Sequence, residues 1–115
     1  MERYNGHILR KGDFYKEGFG RYYIALETLQ LPLCCGVTLE HKVLLDGATA
    51  SGFRRSWDGI EFNLDLPDGD WDGYKLSPEL EYETFENKVI HNAKITGIAL
   101  TKRPVDKKST LTKEK

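Results

Sequence analysis

Between residues 60 and 66 apolar and polar side chains alternate without a break: Ile60, Phe62, Leu64 and Leu66 are separated by Glu61, Asn63 and Asp65. A period of two is that of a strand with one buried face. Asp58-Gly59, just upstream, is a strong two-residue hairpin signal and pairs this strand with residues 48–57. A second alternation sets Leu76, Pro78, Leu80 and Tyr82 on one face and Lys75, Ser77, Glu79, Glu81 and Glu83 on the other. Ser77 is therefore expected to point away from the core. Residues 89–101 are rich in β-formers and follow a turn at Asn87-Lys88, and Gly97 within them marks a bulge or a close backbone approach. Residues 22–29 read as a strand or a short helix, and residues 31–39 as a strand interrupted at Pro32 and Gly36.

Five or six strands with turn signals at short spacing, and no internal repeat, predict a mainly β fold, α+β in class. The architecture expected is a small β-barrel or sandwich with one or two short helices. At 115 residues the chain suits one domain with one core. That domain is expected over residues 1–104. Residues 105–115, rich in Lys, Ser and Thr without apolar periodicity, read as a basic, mobile tail. Trp57, Trp71 and the tyrosines read as core and turn anchors, His7 as a solvated side chain, and Cys34 and Cys35 as small hydrophobes.

Charge is segregated along the chain. Residues 58–86 carry ten acids against one lysine, residues 87–115 carry eight bases against two acids, and the whole nets −1. The acidic middle argues against nucleic acid wrapping around the domain. No run of 18 apolar residues predicts a membrane crossing, and the first residues lack the order of a signal peptide. Adjacent cysteines lie about 3.8 Å apart at Cα, below the usual disulfide span, so a reducing, intracellular compartment is expected.

Two constellations carry candidate chemistry. His41 follows an apolar strand, and Ser77 lies on the polar face of a later one. A serine hydroxyl becomes a good nucleophile when an imidazole within hydrogen-bond reach accepts its proton. Separately, Asp68, Asp70, Asp72, Gly73 and Glu79 fit the spacing of an EF-hand calcium loop, with hard oxygen donors at alternate positions and Gly at the sharp turn. Against a calcium site stand the strand-like segment before it and Lys75 at a position usually apolar; an acidic turn between strands is the alternative.

Taken in order, Leu39-Glu40-His41, Ala50-Ser51-Gly52-Phe53, Asp58-Gly59-Ile60, Tyr74-Lys75-Leu76-Ser77-Pro78-Glu79-Leu80 and Ala99-Leu100-Thr101-Lys102-Arg103-Pro104 resemble the capsid-maturation (prohead) serine proteases of tailed bacteriophages, Mu-type branch. The resemblance spans about residues 31–106. It implies the β-barrel shared with herpesvirus assemblin, Ser77 as nucleophile and His41 as base. It also implies scaffolding protein and the major capsid protein of a phage head as partners and substrates. The location implied is the host cytoplasm, inside immature heads, with no membrane, no nucleic acid and no cofactor; self-association is left open. Related branches place a third, base-orienting His, Glu or Asp where this chain has Gly97. His91, Glu83 and Asp106 are the candidate substitutes. Two alternatives stand beside the protease: a noncatalytic capsid-assembly protein on the same barrel, and a calcium-binding module over residues 68–79.

Overall fold

The computed structural model describes residues 1–9, 13–16, 20–104 and 108–114. They form a mainly β structure of eleven strands: β1 (Glu2–Ile8), β2 (Asp13–Lys16), β3 (Gly20–Ile24), β4 (Cys34–Leu39), β5 (Val43–Ser56), β6 (Gly59–Leu66), β7 (Lys75–Glu81), β8 (Thr84–Glu86), β9 (Val89–His91), β10 (Lys94–Thr101) and β11 (Thr110–Lys113). Seven build one sheet in the order β11-β1-β6-β5-β4-β10-β7, and four build a second in the order β2-β3-β9-β8. One or two short helices were expected. Among the described residues a single 3-10 turn, Leu26–Thr28, is found, so residues 22–29 are strand first and helical turn second. Arg55 on β5 ties that turn down by donating to the carbonyls of Leu26, at 2.6 Å, and Leu29.

The alternation in β6 does what its period requires. Ile60, Phe62, Leu64 and Leu66 are all buried, and Phe62 stacks on Phe53 with ring centroids 4.8 Å apart. The β5–β6 hairpin falls one residue earlier than Asp58-Gly59 suggests: Trp57-Asp58 form its two-residue turn, and Gly59 is already paired opposite Ser56 as the first residue of β6. Asn87 and Lys88 close the β8–β9 hairpin with φ of 51° and 61°, the left-handed pair of a type I′ turn.

The seven-stranded sheet curls into a half-barrel. Its end strand β7 swings round toward β1 and β11: the Leu76 N–H donates to Ser109 Oγ at 3.0 Å, and the Leu76 side chain packs over Gly6. A Cβ at position 6 would lie 2.7 Å from Phe62 and 2.8 Å from Leu76, so glycine is what allows the two ends to meet. Because β7 is an end strand, Pro78 is tolerated within it. A cleft of about 660 Å³ remains between residues 69–75 and Ser109–Lys113.

Three expectations are corrected. The basic tail is not free over residues 108–114: β11 pairs antiparallel with β1, and Ser109 is buried. Val105, Asp106, Lys107 and Lys115 lie outside the described residues. Trp57 is no core anchor, being 91% exposed at the tip of the β5–β6 hairpin. Trp71 is a turn anchor, its Nε1–H donating to the Pro67 carbonyl at 3.0 Å. Cys34 is exposed rather than packed, while burial pushes the half-buried Cys35 thiol up to about 11, away from thiolate chemistry.

Candidate functional site

The site begins with register. β4 runs parallel to β10, and β10 antiparallel to β7, so directly opposed residues share a face of the sheet. Gly36, Gly97 and Glu79 form one row across the three strands, and Thr38, Ala99 and Ser77 the next. Adjacent rows two residues apart on a strand are separated by about 6.6 Å. Ser77 and Glu79 are therefore neighbours on one face of β7. The opposite face carries the buried Leu76, Ile98 and Val37.

That face is polar but not open. Ser77 was expected to point away from the core; it is nevertheless 4% exposed, because both faces of β10 beside it are covered from Gly97 to Thr101. Thr38 Oγ1, in the same row, is buried and makes no hydrogen bond. Alternation alone predicts which side chains share a face, and it does so correctly here. It does not predict that the second face is covered as well.

His41 reaches this face from the β4–β5 turn. Glu40 and His41 have φ of 55° and 59°, and Lys42 N–H closes the turn onto the Leu39 carbonyl at 3.0 Å. Type I′ turns favour Asn and Gly because a Cβ is strained in left-handed backbone; here both places carry long side chains. Each is tied down. The Glu40 N–H donates to the Leu100 carbonyl at 2.8 Å, and its carboxylate accepts the Lys102 N–H at 3.1 Å. The Thr101 hydroxyl first, and the Lys102 N–H after it, hold the Glu40 carboxyl below its ordinary range. His41 Nδ1 lies 3.2 Å from Glu79 Oε2, with the two side chains 43% and 30% exposed. Leu44, 68% exposed, Val43, 59%, and Leu33, 94%, put apolar surface beside this hairpin.

Glu79 is thus the carboxylate that meets His41. Of the three candidates for that role, His91 ends β9 in the four-stranded sheet and Glu83 sits in the exposed loop after β7; Asp106 is outside the described residues. The sequence puts Glu79 on the same strand face as Ser77, but the only chemical role it suggests for Glu79 is as a calcium ligand. Gly97 stands where a close approach was expected: a Cβ there would overlap Glu79 Oε1, and the β7–β10 register shifts between Ile95 and Gly97. No hydrogen bond joins Ser77 to His41 in this arrangement.

The acidic loop does not assemble an EF-hand. Residues 75–81, which would be the exiting helix, are strand β7, and Glu79 faces His41. Asp70 Oδ1 instead accepts the Asp72 N–H at 3.0 Å, as in an Asx turn. Among the described residues no group of three or more His, Cys, Asp or Glu is placed to hold a metal ion.

A second His–carboxylate contact was not foreseen. His7, read as solvated, is 16% exposed and lies with Nε2 3.2 Å from Asp58 Oδ1 and 3.3 Å from Ser56 Oγ. Ser56 also donates to Asp58 Oδ1 at 3.3 Å. Serine and carboxylate converge on the same ring nitrogen, so the three close on one another instead of forming a relay across the imidazole. The knot pins the β5–β6 turn to β1.

No family model, curated protein or solved structure matches this chain.

Proposed function

We propose that the protein is a serine hydrolase of the capsid-maturation protease kind, acting on polypeptide, with Ser77 as nucleophile and His41 as base. The observation that carries this reading is the strained Glu40-His41 turn, which sets an imidazole against β7 two residues along from Ser77. Non-glycine residues in left-handed backbone cost energy and cluster at functional sites. The exposed apolar Val43 and Leu44 beside the turn suit the binding of an extended polypeptide.

In this reading His41 Nε2 takes the proton of Ser77 Oγ as the oxygen bonds to the scissile carbonyl carbon. The tetrahedral adduct then expels the amine, which leaves with that proton. Water repeats the sequence, releasing the carboxylic acid and restoring Ser77. The partners of the proposal are the scaffolding protein and major capsid protein of a phage head, met inside the immature shell in the host cytoplasm.

A second reading, a noncatalytic capsid-assembly protein, is favoured by one observation: Ser77 is 4% exposed and makes no hydrogen bond to His41. Intact mass after treatment with a phosphonylating serine probe separates the two. A single adduct on the wild type, lost in both Ser77→Ala and His41→Ala, is the hydrolase result. A folded wild type that takes no adduct, yet binds scaffolding protein with an affinity unchanged by Ser77→Ala, leaves the assembly reading.

A further inference from the structure

We propose that Glu79 is the positioning residue of His41, and that its carboxylate occupies the place a side chain at position 97 would fill. The catalytic consequence rests on the hydrolase reading; the placement of the imidazole does not.

An imidazole has two nitrogens, and in the neutral ring only one carries the proton. A carboxylate 3.2 Å from Nδ1 accepts a proton there and leaves Nε2 as the basic lone pair. This is the tautomer a base needs when the nucleophile's proton is to be taken by Nε2. Glu79 can do this because β7 and β10 pair with Glu79 opposite Gly97, with Gly36 beyond it on β4. Gly97 brings no side chain to its own stretch of backbone, and the Glu79 side chain lies over it, while Leu44 lies over Gly36 on β4. A Cβ at 97 would overlap Glu79 Oε1, so position 97 and the carboxylate compete for one volume. Position 97 needs glycine for that close approach. An acid placed at 97 would deliver its carboxylate into the same space, provided the side chain at 79 were shortened.

Cys35 is the other titratable group whose environment registers Glu79, and its raised thiol keeps it neutral and no rival for the imidazole. His91 and Glu83 are placed in other parts of the fold.

The test is long-range ¹H–¹⁵N NMR of the full chain at a pH where the imidazole is neutral, with His41 assigned by its loss in His41→Gln. The wild type is expected to show the Nδ1–H tautomer. Glu79→Ala is expected to shift it toward Nε2–H, the form free histidine prefers. Gly97→Ala is expected to do the same with Glu79 still present, because the methyl group displaces the carboxylate. Glu79→Ala combined with Gly97→Asp is expected to restore Nδ1–H, which a merely structural role for Glu79 would not produce. Nε2–H in the wild type, or Nδ1–H surviving in both single variants, overturns the positioning role. A double variant that stays Nε2–H overturns the shared volume.

Phosphonylation rates of Ser77 in the same samples separate this inference from the reading beneath it. The expected fall in Glu79→Ala is about 10²-fold or more. A shifted tautomer with an unchanged rate removes Glu79 from catalysis. No adduct on a wild type that does show Nδ1–H removes the hydrolase and leaves the positioning of His41 standing.

Discussion

The strained turn makes a prediction in which the confounding terms cancel. His41→Gly and His41→Ala both delete the imidazole and both lose its contact with Glu79, an exposed pair whose worth is about 0–1 kcal/mol in either case. They differ in backbone. At φ of 59° an alanine retains the left-handed penalty of roughly 1–2 kcal/mol that glycine escapes. Glycine in turn gives the unfolded chain more freedom, which costs about 0.4–1 kcal/mol. The balance favours His41→Gly over His41→Ala by about 0.5–1 kcal/mol, a difference of about 2–5 °C in melting temperature for a domain near this size. Urea titrations of the two variants, with equal slopes, would read it directly as a shift in midpoint. An alanine variant as stable as the glycine variant, or more stable, refutes a left-handed residue at 41. Without that residue in left-handed backbone, the turn would not be strained on behalf of its side chain. If the proposed function holds, both variants lose reaction at Ser77 while one of them gains stability over the other, so loss of activity cannot be assigned to unfolding.

Gly6→Ala is expected to cost about 1–3 kcal/mol by driving a methyl group into Phe62 and Leu76, measured by chemical denaturation; a neutral effect would mean that the sheet ends do not meet there. Ser109→Ala removes the acceptor of the buried Leu76 N–H and is expected to cost about 1–3 kcal/mol, which a mobile tail would not register. Glu40 has a folded-state pKa below its ordinary 4.5, so its stabilising contribution is present above that pH and is lost as pH falls through the lowered value. The stability gap between wild type and Glu40→Gln should therefore close on acidification from pH 6 downward, and a gap that widens instead would contradict the bonds from Thr101 and Lys102.

The local hairpins were legible because both strands and the turn between them lie close together in the chain. Residues 60–66 announce a buried face by period and Asn87-Lys88 a turn by chemistry, and both appear where the pattern puts them, while the Asp58-Gly59 signal marks its hairpin with the turn one residue early, at Trp57-Asp58. The mainly β class follows from the same signals. Ser77 and His41 were singled out by residue type and by resemblance. The partner of His41 was not, since the imidazole finds a carboxylate 38 positions away on a strand whose neighbours are β10 and, beyond it, β4.

A period of two fixes which side chains share a face of a strand, but it carries no information about which strands become neighbours or in what register. The sequence by itself determined the alternating faces of β6 and β7, the Asn87-Lys88 turn and the glycine at 97. Tertiary structure alone decided the rest. Pairing β7 with β10 in its observed register put Glu79 over Gly97 and beneath His41. Covering both faces of β10 buried Ser77, which alternation had placed on the face away from the core, and curling the sheet until Leu76 met Ser109 drew residues 108–114 into the fold. The physical reason is common to all three: each depends on contacts between segments far apart in the chain, whose geometry is set by the packing of the whole sheet.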